Sequence, residues 1–161
     1  MPDDNLSRMI HLADEFFETR NDPAQISVTE DVMERLRRIH PSTLTEANDG
    51  NGPIAWIMVI PTTHEIMEQF IAEQITERNI LDATPLDVSY NAIYLCSALV
   101  LPEHRGKGIA KGLVIDAVTS IRNDHPIRDL FYWAFSAEGQ KLAESVATSV
   151  GLSLRKRVGA E

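Results

Sequence analysis

Apolar positions along the chain switch between two periods, and the switches mark the elements. Leu6, Met9, Ile10, Ala13, Phe16 and Phe17 recur at helical spacing over residues 5–19. Asp3, Asp4 and Asn5 suit the positive end of the helix this predicts, and Asn21-Asp22-Pro23 breaks it. Ser27 and Glu30 have capping-box spacing, and Val32, Leu36 and Ile39 follow on one face of a second helix that ends near His40-Pro41. Residues 43–47 then read as a weak strand. Asn48-Asp49-Gly50-Asn51-Gly52 is the strongest hairpin signal in the chain, and a strand rich in β-branched and aromatic residues fills 53–60. Thr62 and Glu65 repeat the capping spacing. Ile66, Phe70, Ile71 and Ile75 then predict a single helix over residues 63–78, with a loop over 79–91.

The run from Ala92 to Leu101 is apolar except for Ser97, which fits a strand buried on both faces. Pro102 has no N–H and ends the ladder. Arg105-Gly106-Lys107-Gly108 follows, and Ile109, Leu113, Ala117 and Ile121 line one side of the helix behind it. Residues 130–135 read as an aromatic-rich strand. Ser136 is placed to cap a final helix bearing Leu142, Val146 and Val150. Gly151 is its stop, and 152–158 form a last short strand. The order is mixed α and β, with no internal repeat, low-complexity segment or linker, so residues 1–161 are expected to form one domain.

Composition narrows the class without naming it. A chain of 161 residues, 43% hydrophobic and 24% charged, has the make-up of an ordinary globular domain. Its formal charge of −9 argues against nonspecific nucleic-acid binding, which rests on basic patches, and is compatible with a cationic partner. Cys96 is the single cysteine, so no internal disulfide forms; within an apolar run it reads as a buried structural residue. No apolar run approaches the roughly 20 residues of a membrane span, and Pro2-Asp3-Asp4 is the wrong start for a secretory signal. The expectation is a protein of the reducing cytoplasm with no membrane partner.

The candidate chemistry sits in residues 95–111. A strand, a glycine turn and a helix start together make a phosphate-binding recipe. The first helical N–H groups lack partners, the macrodipole is positive there, and glycine lets the backbone come close. Arg105, Lys107 and Lys111 add charge. The segment matches neither the P-loop nor the dinucleotide fingerprint, since Lys111 stands where the latter needs its third glycine. Arg-x-x-Gly-x-Ala over residues 105–110, preceded by Val-x-Pro-Glu over 100–103, resembles the pyrophosphate-binding segment of the GNAT superfamily of acyl-CoA N-acyltransferases.

That resemblance implies an α+β fold with a central mixed sheet of about five strands flanked by helices. It implies a V-shaped gap beside the central strand that holds the pantetheine arm of acetyl-CoA, or of another acyl-CoA, as cosubstrate. Ala98, Leu99 and Val100 would bond the arm through their backbones. Arg105, Gly106, Lys107, Gly108, Ile109, Ala110 and Lys111 would meet the pyrophosphate, and Gln140 takes the place of an Asn common on the family's last helix. The first helical pair borders the acceptor cleft in the family, which makes Phe16, Phe17, Met33 and Arg37 wall candidates, although core or solvated-face roles suit each of them better.

The sequence departs from the family at two mechanistic positions. Cys96 or Ser97 stands where a glutamate base is common, and Ala147 where a tyrosine acid is usual. The usual first strand is not seen, and an entire helix replaces the short hairpin before the central strand, either changing access to the site or building a homodimer contact. The implied function is N-acetyl transfer from acetyl-CoA to a primary amine on a small molecule or peptide. A backbone N–H of Leu99 or Val100 would serve as oxyanion donor, Ser97 as a water-linked relay, and Ser145 as a stand-in acid. No metal is called for. The alternative is a GNAT-like module that binds CoA without turnover, in sensing or assembly.

Overall fold

β2 (Pro53–Thr62) is buried at all but one of its positions, so the chain has to cover it on both faces. It pairs antiparallel with β1 (Leu44–Asn48) and with β3 (Ala92–Val100). β4 (Asp129–Trp133) runs parallel to β3, and β5 (Ser153–Arg157) parallel to β4, giving a five-stranded sheet in the order β1-β2-β3-β4-β5. The helices are α1 (Asn5–Arg20), α2 (Glu30–Ile39), α3 (His64–Ile71), α4 (Glu77–Ala83), α5 (Ile109–Asp124) and α6 (Ala137–Val150), with a short 3-10 turn at Pro102–His104. The computed structural model describes residues 4–20, 29–134 and 136–157, and among these no strand precedes α1 and no helix is long and apolar enough to cross a membrane.

Strand parity assigns the helices to faces. The even residues of β2 share one face. Ile54 and Trp56 pack there with Met9 of α1, and Thr62 bonds Thr84, just after α4, hydroxyl to hydroxyl at 2.6 Å. Tyr94 lies opposite Ile60 on this face and meets Phe70 of α3 edge-on at 5.1 Å. Phe70 also meets Phe131 and Trp133. Tyr132, between those two, therefore points the other way, where burial and the Glu144 carboxylate of α6 raise its pKa. α5 packs on α6 and on β2. The result is three layers, with α1, α3 and α4 on one face and α5 and α6 on the other.

Several expectations change. The stretch expected to be one helix over 63–78 followed by a loop over 79–91 instead holds two helices, the second lying mostly in the expected loop. α3 ends at Ile71, Glu73 takes a left-handed φ of +62°, and α4 restarts under a Thr76–Asn79 capping box. α3 covers the β3–β5 side and α4 covers β2, so a straight helix does not reach both. Phe70 is fully buried and Ile66 nearly so, which means the insertion's apolar stripe is covered within the chain. In α1, Leu6 and Ile10 are exposed, at 49% and 48%; the helix docks through Met9 and Leu12 instead. Thr29 caps α2, its hydroxyl accepting from Val32 N–H, while Ser27 lies outside the described residues. The side chains of Phe16 and Phe17 lie outside them too.

Candidate functional site

The expectation that β3 is buried on both faces holds for three residues. Ala92, Ile93 and Tyr94 pair with Asp129, Leu130 and Phe131 and are buried; from Leu95 to Val100 the strand is half-buried and has no β4 partner. The register with β2 shows why. Ser97 sits opposite Met58 but Leu95 opposite Val59, which leaves Cys96 as the extra residue of a bulge. A bulge bends its strand and increases the local twist, and here it turns β3 away from β4. β4 itself continues alongside β5 to Trp133. The sheet is therefore split, with its apex at the Tyr94/Phe131 pair.

Parity also tells which backbone groups face the split. Leu101 N–H donates to Ile54 O at 2.9 Å, and the two residues are directly opposed, so they form a hydrogen-bonded pair. Leu99 and Ser97 then also turn their backbones toward β2, while Ala98 and Val100 turn theirs toward the opening. Of the two residues expected to supply an oxyanion donor, Leu99 faces its ladder partner, and Val100 faces the split. Val100 O accepts from the Arg105 Nε–H at 3.0 Å, as a carbonyl without a strand partner needs to.

The glycine turn lies at the mouth of the split. Gly106 and Gly108 both have φ of +77°, and Gly108 is the N-cap of α5. A Cβ placed on either would meet nothing within 4 Å, so the turn faces open space. The first α5 backbone bond it closes is Gly112 N–H to Gly108 O. That leaves the N–H groups of Ile109, Ala110 and Lys111 without intrahelical acceptors. Arg105 and Lys107 are exposed beside them.

Other side chains brace this corner in ways the sequence did not advertise. Arg8 of α1 holds Glu103 through two bonds of 2.6 Å, and this guanidinium is the main cause that lowers the Glu103 pKa to about 2. Asn5 donates to Asp49 Oδ1 at 3.0 Å, and the His104 ring lies 3.8 Å from Asp49 Oδ2, tying α1, the β1–β2 hairpin and the 3-10 turn together. No local pattern reports a partner 95 residues away.

The remaining expected residues separate. Ser97 is on the α1/α3/α4 face. Ser145 lines a shallow groove of about 360 Å³ with Lys111, Lys141, Glu144, Thr148 and Ser149, between α5 and α6 on the other face, so the fold does not bring the two serines together. Gln140, on the first turn of α6, donates to Glu144 at 3.0 Å. Ala147, in the place of the family's tyrosine, is buried in the core.

A mixed sheet split beside a glycine turn at a helix start is the GNAT architecture. The sequence model of the acetyltransferase (GNAT) family matches residues 7–144, and the chain belongs to that family. Among solved structures, a ribosomal-protein-alanine N-acetyltransferase from Brucella melitensis biovar Abortus 2308 is similar at 17% identity over 85% of this chain and 86% of that one, with a TM-score of 0.42. Comparison with curated proteins finds no match.

Proposed function

We propose that the chain transfers an acetyl group from acetyl-CoA to a primary amine. The observation that carries this reading is the unpaired edge of β3 at Ala98 and Val100 beside a positive-φ glycine turn. An amide-bearing arm can pair with that edge as a missing strand would, and its diphosphate can meet three orphan N–H groups and the macrodipole of α5. Lys107 and Lys111 add positive charge there. Arg105 does so once an incoming amide takes over its bond to Val100 O.

Amine attack on a thioester needs little activation, so holding the two in line supplies much of the rate. Val100 N–H, turned to the split, is suited to polarise the carbonyl. Being a backbone group, it does not depend on the missing strand glutamate. Thiolate is a fairly good leaving group, so no dedicated acid is required of Ser145. Cys96 is the extra residue of the β3 bulge. The reading is direct attack without an acyl-cysteine.

The test is thiol release from acetyl-CoA against a panel of primary amines, with calorimetry for CoA itself. Release that requires an amine, and that survives Cys96→Ala within a few-fold, supports the reading. Binding of CoA without release to any amine favours the sensing or assembly module instead, and a melting midpoint unmoved by CoA rejects both.

A further inference from the structure

We infer that the groove between α5 and α6 reads the 3′-phosphate of CoA, and that Lys141 is the residue that tells CoA from its dephospho form. This rests on the acetyl-CoA reading above and deepens it. The observation that carries it is that Lys111 belongs to two places at once. Its backbone N–H is one of the three orphan donors at the α5 start. The same residue lines the groove, with Lys141 on the α6 side.

Topology puts the two lysines at the same end of the sheet. α5 joins β3 to β4 and α6 joins β4 to β5, and both strand pairs are parallel, so both helices begin where their strands finish. The glycine turn lies at that end. Lys111 is the third residue of α5 and Lys141 the fifth of α6. At the far end Arg122 of α5 donates to Val150 O, on the last residue of α6, at 2.8 Å and keeps the helices side by side. The groove therefore passes the α5 start and follows α6 from Lys141 to Ser149.

The chemistry of the cosubstrate matches this continuity. A diphosphate has two ends. The pantetheine arm leaves one of them for the split, and the nucleoside leaves the other. CoA carries its 3′-phosphate on the same ribose that bears the diphosphate. A phosphomonoester holds roughly two negative charges at neutral pH, so it seeks the next cations out from the turn. Dephospho-CoA has the diphosphate alone and makes no demand on Lys141.

The charges of the groove suit a phosphate. Among the described residues neither Lys111 nor Lys141 is in an ion pair, whereas Arg8, Arg78 and Arg155 are each held by a carboxylate. Glu144 is the single anion among the lining residues, and Gln140 Nε2 donates to it at 3.0 Å. The Thr148 hydroxyl is taken by the Glu144 carbonyl at 2.9 Å. Two lysines against one carboxylate make this groove locally positive in a chain of formal charge −9.

The test compares CoA with 3′-dephospho-CoA by calorimetry in wild type, Lys141→Ala, Lys141→Arg and Glu144→Gln. Lys141 and Glu144 are exposed, so the variants are expected to melt as wild type does. Wild type is expected to bind CoA about tenfold more tightly than dephospho-CoA, the scale of a charge-assisted contact. Lys141→Ala lowers that ratio severalfold and leaves dephospho-CoA affinity as it was, and Lys141→Arg keeps the ratio. Glu144→Gln keeps an acceptor for Gln140 and removes the opposing charge, so the ratio widens. In turnover, Lys141→Ala raises KM for acetyl-CoA by a similar factor with kcat unchanged, as loss of uniform binding requires. A wild-type ratio near unity, or a ratio that Lys141→Ala does not change, overturns the assignment. So does a loss shared equally by both ligands. Failure of both ligands to bind wild type overturns the CoA reading itself, a distinguishable result.

Discussion

Replacing Gly108 with valine separates the two reasons a glycine stands there. Its φ of +77° lies in the left-handed region, where a β-branched residue is strained by about 1–3 kcal/mol. The space around it is not the obstacle, since an added Cβ meets nothing within 4 Å of protein. For a chain of this size, each kcal/mol lowers the melting midpoint by about 2–4 °C. The second effect falls on the ligand. A branched side chain occupies the open space through which a diphosphate must approach the N–H groups of Ile109, Ala110 and Lys111. Losing charge-assisted contacts of that kind costs about 2 kcal/mol, or about 30-fold in Kd for CoA. Calorimetry well below the midpoint reads the binding effect, and a thermal melt reads the strain. Gly112→Ala is the internal control. That position has ordinary helical backbone and open space around it, so alanine is expected to stabilise by about 1 kcal/mol and leave CoA affinity alone. Equal CoA affinity in wild type and Gly108→Val would refute the placement of the diphosphate.

Phe70→Ala removes a fully buried ring that meets Tyr94, Phe131 and Trp133, and is expected to cost about 3–5 kcal/mol in denaturant unfolding; a cost near zero contradicts the docking of α3. In Arg8→Ala, an NMR titration should find the Glu103 carboxyl raised from about 2 toward its ordinary 4.5. Because the folded pKa is depressed, the stability that pairing adds is present above the unfolded pKa and is lost as pH falls toward about 2; unchanged titration means the contact does not form in solution. Ala147→Tyr is expected to destabilise by about 1–3 kcal/mol, by overpacking a buried site, without supplying an acid; a stable, faster enzyme contradicts the packing of α6.

Periodicity and caps were enough to place most elements. α5 buries Ala117 and Ile121 as its stripe requires. α6 begins at the Ser136 cap and ends at Gly151, and Arg105–Ala110 carries the family signature in a single contiguous segment. These features are local, because the residues that cause them lie within a turn or two of one another. What decides the site is not local. The split depends on one extra residue, Cys96, counted against a partner strand nearly 40 positions earlier, and the same count turns Leu99 toward β2 and Val100 toward the gap. Ile71 and Ile75 continue a helical period, yet the chain breaks between them because α3 and α4 cover different strands. The Arg8–Glu103 clamp and the Glu77–Tyr94 bond join residues whose own neighbours give no sign of them. Sequence alone determined the strands, the glycine turn and the helices outside the insertion, since each is stabilised by short-range spacing. Register, face and the partners of buried polar groups were decided only when the layers closed, because each depends on contacts between segments far apart in the chain.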